Sequence, residues 1–135
     1  MKKNITFIFE LLRIKQWVKN TFIFFPLMFS GRLFQIEAIQ NTLLAFLGFC
    51  LVSSGLYILN DYRDREFDRL HPQKRHRPLA SLEINPWGIA AMIIALITAG
   101  SFVCSLVDPG MILIALTYFL ANLTYNFYSK NIVLL

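Results

Sequence analysis

Residues 60 to 81 read Asn-Asp-Tyr-Arg-Asp-Arg-Glu-Phe-Asp-Arg-Leu-His-Pro-Gln-Lys-Arg-His-Arg-Pro-Leu-Ala-Ser, and they follow directly on an uncharged run from 38 to 60. Charge this dense at the end of an apolar run places a polar cluster at a bilayer surface. On a helix Asp61, Asp64 and Asp68 are spaced i, i+3, i+7, so their carboxylates project from one side of the cylinder. Mg²⁺ takes hard oxygen ligands, and it is commonly held by one or two carboxylates together with substrate phosphates. With Lys74, Arg75 and Arg77 just downstream, the pattern points to a metal-diphosphate site. The spacing alone also suits a solvated helix extension in which Arg65 and Arg69 pair with the aspartates.

The composition is that of a membrane protein. Of 135 residues 56% are apolar and only 16% charged, with a mean hydropathy of +0.55, far from soluble averages. Uncharged runs occupy 38 to 60, 84 to 107 and 109 to 129, each near the ~20 residues that cross about 30 Å of hydrocarbon. A fourth, shorter run covers 20 to 31 and contains Pro26; Ile14, Trp17, Val18, Leu33 and Phe34 extend it, and Lys15 and Lys19 can snorkel. The expected fold class is therefore all-α, a single membrane domain with about four transmembrane helices and a polar connection over 60 to 85.

Basic residues set the expected topology. With four crossings, every Lys and Arg of the thirteen except Arg32 falls on one side, which the positive-inside rule makes cytoplasmic. Three crossings would divide them. Both termini and the Asp-rich connection are thus expected to face the cytoplasm, and the net charge of +5 is topological rather than a sign of nucleic-acid binding. Residues 2 to 19 mix Ile5, Phe7, Ile8, Leu11, Leu12 and Ile14 with cations, as an interfacial helix does. Asn85-Pro86 is a cap and first-turn pair, and Asp108-Pro109-Gly110 a tight turn that predicts a helical hairpin. Small residues (Gly48, Ser53, Ser54, Gly55; Ala90, Ala91, Ala95, Ala99, Gly100) permit close helix contact.

Several chemistries find no support. Cys50 and Cys104 lie within apolar runs without CxxC or His-rich spacing, so zinc is not indicated. Neither a nucleophile-base constellation nor a Walker-type glycine loop is present. Charge stabilisation by metal and cations remains.

The string Asn60-Asp61-x-x-Asp64-x-x-x-Asp68, followed by His71-Pro72-x-Lys74-Arg75-x-Arg77-Pro78 and Ala80-Ser81, resembles the first aspartate-rich motif of the UbiA superfamily of intramembrane prenyltransferases. Gln16-Trp17-Val18-Lys19-Asn20 with Pro26 resembles one branch, the decaprenyl-phosphate phosphoribosyltransferases. The resemblance implies that Asn60, Asp61, Asp64 and Asp68 bind Mg²⁺ bridging to the donor diphosphate. It implies that Lys19, Asn20, Lys74, Arg75, Arg77, Tyr125 and Lys130 contact substrate. For some of these the residues alone allow plainer roles: helix packing for Asn60, topology for Lys19 and Lys130, an interfacial aromatic belt for Tyr125. The implied donor is phosphoribosyl diphosphate and the acceptor a polyprenyl phosphate; prenyl transfer from a diphosphate to an aromatic acceptor is the alternative. The family usually has glycine where Leu82 stands, and it carries a second aspartate-rich motif on further helices. A complementary C-terminal half or a homo-oligomer is accordingly expected to complete the site, and the alternative is a non-catalytic membrane fragment.

Overall fold

The computed structural model describes residues 2 to 81 and 85 to 125, with side chains from residue 6 onward. Six α-helices follow in order: α1 (Lys2–Leu11), α2 (Phe25–Phe29), α3 (Ile36–Leu70), α4 (Pro78–Ser81), α5 (Pro86–Ser105) and α6 (Met111–Thr124). Two 3-10 segments, Ile14–Phe24 and Lys74–His76, lie between them, and no strand forms among the described residues. The chain is an all-α membrane protein.

α3 and α5 are long and apolar enough to cross a bilayer, and α6 is a shorter apolar helix over its described residues. At 35 residues, α3 is about 52 Å long, well beyond the ~30 Å of hydrocarbon. The surplus is the charged stretch 61 to 70, so the aspartates stand on a rigid helical extension and the connection proper begins at His71. The weak first run takes a different form. Residues 14 to 24 wind as a 3-10 helix and continue into α2, whose first turn accommodates Pro26. Because a 3-10 helix rises about 2.0 Å per residue, these short pieces together reach roughly 30 Å.

α3 packs mainly on α5. The crossing is made by Gly48 and Gly100, where an added Cβ at Gly100 would lie 2.6 Å from the Gly48 carbonyl oxygen and 2.8 Å from Val52 Cγ2. One buried cluster joins Ile58, Leu79, Ile89 and Ile93, with Leu11 and Leu12 against it; a second joins Val52, Cys104 and Ala115. Ile8 and Phe9 of α1 stay exposed. Asn85 caps α5, accepting from Trp87 N at 3.0 Å, and Asp108 accepts from Gly110 N at 2.7 Å in the turn before α6.

The 3-10 segment is bound to α3 through polar contacts. Trp17 Nε1 donates to Ser54 Oγ at 3.0 Å, Asn20 Nδ2 donates to Ser53 Oγ at 3.1 Å, and Ser54 Oγ donates to the Leu12 carbonyl at 2.7 Å. Such bonds supply the attraction that apolar surface does not supply in lipid.

Candidate functional site

Helical geometry divides the polar residues of α3 into two stripes. Ser54, Asp61 and Asp68 are seven apart and nearly aligned; Ser53, Tyr57, Asn60 and Asp64 align on a second stripe about 100° round the helix for each single-residue offset. The structure treats the stripes differently.

The first stripe is tied to the rest of the molecule. Arg13 donates from Nε to Asp61 Oδ2 at 2.8 Å and from Nη2 to Asp61 Oδ1 at 2.5 Å. Arg77 Nη1 donates to Asp61 Oδ1 at 3.2 Å and to Asp68 Oδ2 at 2.7 Å. Asp61 and Asp68 are only 7% and 4% exposed. Their partners come from the N-terminal segment and the connection, not from Arg65 or Arg69 of their own helix. Arg65 instead pairs with Glu66 and lies over the Tyr62 ring, and Arg69 joins Glu66 to the Ala80 carbonyl. Asp61 lies just past the uncharged run. Burial pushes its carboxyl above the ordinary value, opposed by the charges of Arg13 and Arg77.

The second stripe faces a cavity of about 190 Å³ lined by Ser53, Leu56, Tyr57 and Asn60 of α3 with Tyr118, Asn122 and Tyr125. Asn60 Oδ1 is buried and has no hydrogen-bond partner among the described residues. Asp64, half-buried, continues the stripe one turn further. A second cavity, of about 380 Å³, opens between the α1 junction and the connection; Arg13, Asp61 and Arg77 are in its wall.

The expected residues are thus only partly gathered. Asn60 and Tyr125 share one cavity, and Arg77 joins Asp61 to Asp68. Asn20 is engaged with Ser53 and Cys50 inside the helix interface, away from the aspartates. Lys19, Lys74 and Arg75 are exposed, Arg75 Nε donating to His76 Nε2 at 3.3 Å. His71 Nδ1 accepts from the backbone N–H groups of Gln73 and Lys74 and so shapes the turn. Lys130 lies outside the described residues. Among the described residues no three Asp, Glu, His or Cys side chains converge as a metal cage.

Arg13 is the residue that sequence reading missed. It was legible only as one more basic residue, yet it holds a left-handed backbone conformation (φ 49°) between α1 and the 3-10 segment. That conformation is costly for a non-glycine residue. The available signal was its position three residues before Gln16-Trp17, in the segment whose motif suggested substrate contact.

Residues 22 to 135 match the model of the UbiA prenyltransferase family. The chain is 42% identical over 109 residues to nodulation protein NoeC of Azorhizobium caulinodans, covering 80% of this chain and 34% of that protein. It is 37% identical over 125 residues to decaprenyl-phosphate phosphoribosyltransferase of Corynebacterium glutamicum (89% of this chain, 37% of that one). With the Mycobacterium tuberculosis protein of the same name it shares 32% identity over 124 residues (89% and 41%). The chain therefore spans between a third and about two fifths of the length of these relatives. No solved structure matches it significantly.

Proposed function

The chain belongs to the UbiA prenyltransferase family, and from that premise we propose that it forms the first half of a transferase site moving a 5-phosphoribosyl group from phosphoribosyl diphosphate to a polyprenyl phosphate. The observation that carries this reading is Asn60, which lines the smaller cavity with a buried Oδ1 that has no partner among the described residues, with Asp64 one turn further along the same side of α3. The similarity to two decaprenyl-phosphate phosphoribosyltransferases supports the choice of donor. Prenyl transfer from a diphosphate, the chemistry in the family's name, is the second reading.

The donor set suits Mg²⁺, since every side chain offered is a hard oxygen ligand. Asn60, Asp61, Asp64 and Asp68 are the residues that would hold the ion. At Asp61 and Asp68 the guanidiniums of Arg13 and Arg77, now hydrogen-bonded to the carboxylates, would have to give way to it. A bound Mg²⁺ would neutralise charge on the departing diphosphate. The chain's own part is to keep Asn60 and Asp64 on a rigid helix, to hold Arg77 against Asp61 and Asp68 at the same helix end, and to offer Lys74 and Arg75 as further phosphate partners. The apolar spans accommodate the lipid tail, so the acceptor phosphate and the soluble donor meet at the end of the hydrocarbon layer. Following the positive-inside rule, that end is the cytoplasmic face of a bacterial cell membrane. A C-terminal half, or a second copy of the chain, supplies the remaining walls.

Membranes containing the protein in its complete natural form test the proposal. Given Mg²⁺ and a polyprenyl phosphate, they should transfer label from phosphoribosyl diphosphate. Transfer only from a prenyl diphosphate to an aromatic acceptor would establish the second reading, and no transfer from either would overturn both.

A further inference from the structure

His71 is the joint between the rigid end of α3 and the cations that follow it. Pro72 succeeds His71 and Pro78 succeeds Arg77, and a residue before proline is driven to extended backbone. His71 (φ −87°, ψ 128°) and Arg77 (φ −63°, ψ 144°) accordingly leave the helical region on either side of the 3-10 turn Lys74–His76. Between these two points the chain doubles back, so that Arg77 meets the helix it has just left. His71 is bonded on both sides of that reversal. Its N–H donates to the Asp68 carbonyl at 3.2 Å, and its own carbonyl accepts from Arg75 N at 3.1 Å. Its ring Nδ1 accepts from Gln73 N at 3.2 Å and from Lys74 N at 3.4 Å, as an Asn or Asp side chain does in a turn. The next bond runs from Arg77 N to the Lys74 carbonyl at 2.9 Å. It delivers Arg77 Nη1 to Asp68 Oδ2 at 2.7 Å and to Asp61 Oδ1 at 3.2 Å.

We propose that His71 is a positioning residue: as the turn's acceptor, through Nδ1, it sets Arg77 against Asp61 and Asp68 and touches no substrate itself. An accepting Nδ1 carries no proton, so the neutral ring keeps its proton on Nε2. The inference deepens the transferase reading by naming what orders its cations, and it rests on that reading only for the effect on turnover.

The test compares His71→Ala, His71→Asn and His71→Gln. Asn puts an oxygen acceptor where Nδ1 stands, whereas Gln reaches the position of Nε2. In the complete natural protein His71→Ala should raise KM for phosphoribosyl diphosphate about fivefold, the scale of one lost hydrogen bond. His71→Asn should restore it to within about twofold, and His71→Gln should not. With Arg77→Gln already present, His71→Ala should cost clearly less than it does alone. Rescue by Gln instead of Asn would make His71 a ligand contact through Nε2, and effects that simply multiply would detach it from Arg77; either result overturns the proposal. A second arm needs no turnover. In the whole chain in uncharged detergent, exchange of the Lys74 and Arg77 amides with water, followed by NMR, should quicken at least about threefold in His71→Ala and return to the native rate in His71→Asn. Absence of transfer from phosphoribosyl diphosphate in the native protein would sink the transferase reading, whereas unchanged exchange at Arg77 in His71→Ala would sink the positioning role.

Discussion

Arg13 and Asp61, 48 positions apart in sequence, form a two-pronged ion pair at 2.5 and 2.8 Å that fastens the N-terminal segment to the charged end of α3. The pair is mostly shielded from water, with Asp61 shared by Arg77. Arg13→Ala should therefore cost more than an exposed ion pair and less than a fully isolated buried charge, about 1–3 kcal/mol. Unfolding of the detergent-solubilised chain by SDS measures it. A double-mutant cycle with Asp61→Asn should give a coupling of at least about 0.5 kcal/mol; strict additivity would mean that the pair holds nothing.

Burial raises the Asp61 carboxyl above its ordinary value despite its two arginines. An acid whose folded pKa exceeds its unfolded one contributes stability that is fully present below the unfolded pKa and is lost as pH rises through the folded pKa. The stability of the native chain minus that of Asp61→Asn should accordingly fall as pH rises from the ordinary carboxylate value of 3.8 through the raised folded value. A difference that instead grows with pH would show that the arginines outweigh burial.

The crossing of α3 and α5 depends on glycine. A Cβ at Gly100 would press on the Gly48 carbonyl oxygen and Val52, and one at Gly48 would meet Cys104 Sγ and lie 2.9 Å from the Gly100 carbonyl oxygen. Gly100→Ala should destabilise by about 1–3 kcal/mol through forced separation of the helices. Gly88→Ala, with nothing within 4 Å of the added carbon, should be neutral or stabilising within about 1 kcal/mol. Equal effects at the two positions would contradict the packing.

Much of this arrangement was legible in the sequence because periodicity and caps are local. Asn85-Pro86 and Asp108-Pro109-Gly110 mark helix ends by their own hydrogen-bonding chemistry, and the uncharged runs locate α3 and α5. The 3-10 winding of residues 14 to 24 was not legible, since it is set by polar attachment of Trp17 and Asn20 to α3 rather than by a pattern within the segment. Spacing also grouped Asp61, Asp64 and Asp68 as one face. Which side of that face meets arginine and which meets a cavity is decided by Arg13 and Arg77, whose partners tertiary packing selects.

Topology has its own test. Gln73 is exposed in the connection, and a cytoplasmic connection should shield a cysteine placed there, with Cys50 and Cys104 replaced, from an impermeant thiol reagent outside intact cells. Permeabilising the cells should restore labelling. Labelling without permeabilisation would reverse the proposed orientation.

The most direct test of the transferase site is Asp64→Asn in the complete natural protein, assayed for Mg²⁺-dependent transfer alongside its level in the membrane. Removing a ligand charge from the half-buried Asp64 should lower turnover on the order of 100-fold or more while protein level stays near that of the unmodified protein. Turnover close to the unmodified protein's, at equal protein level, would show that the stripe is a solvated helix face and that the diphosphate binds elsewhere.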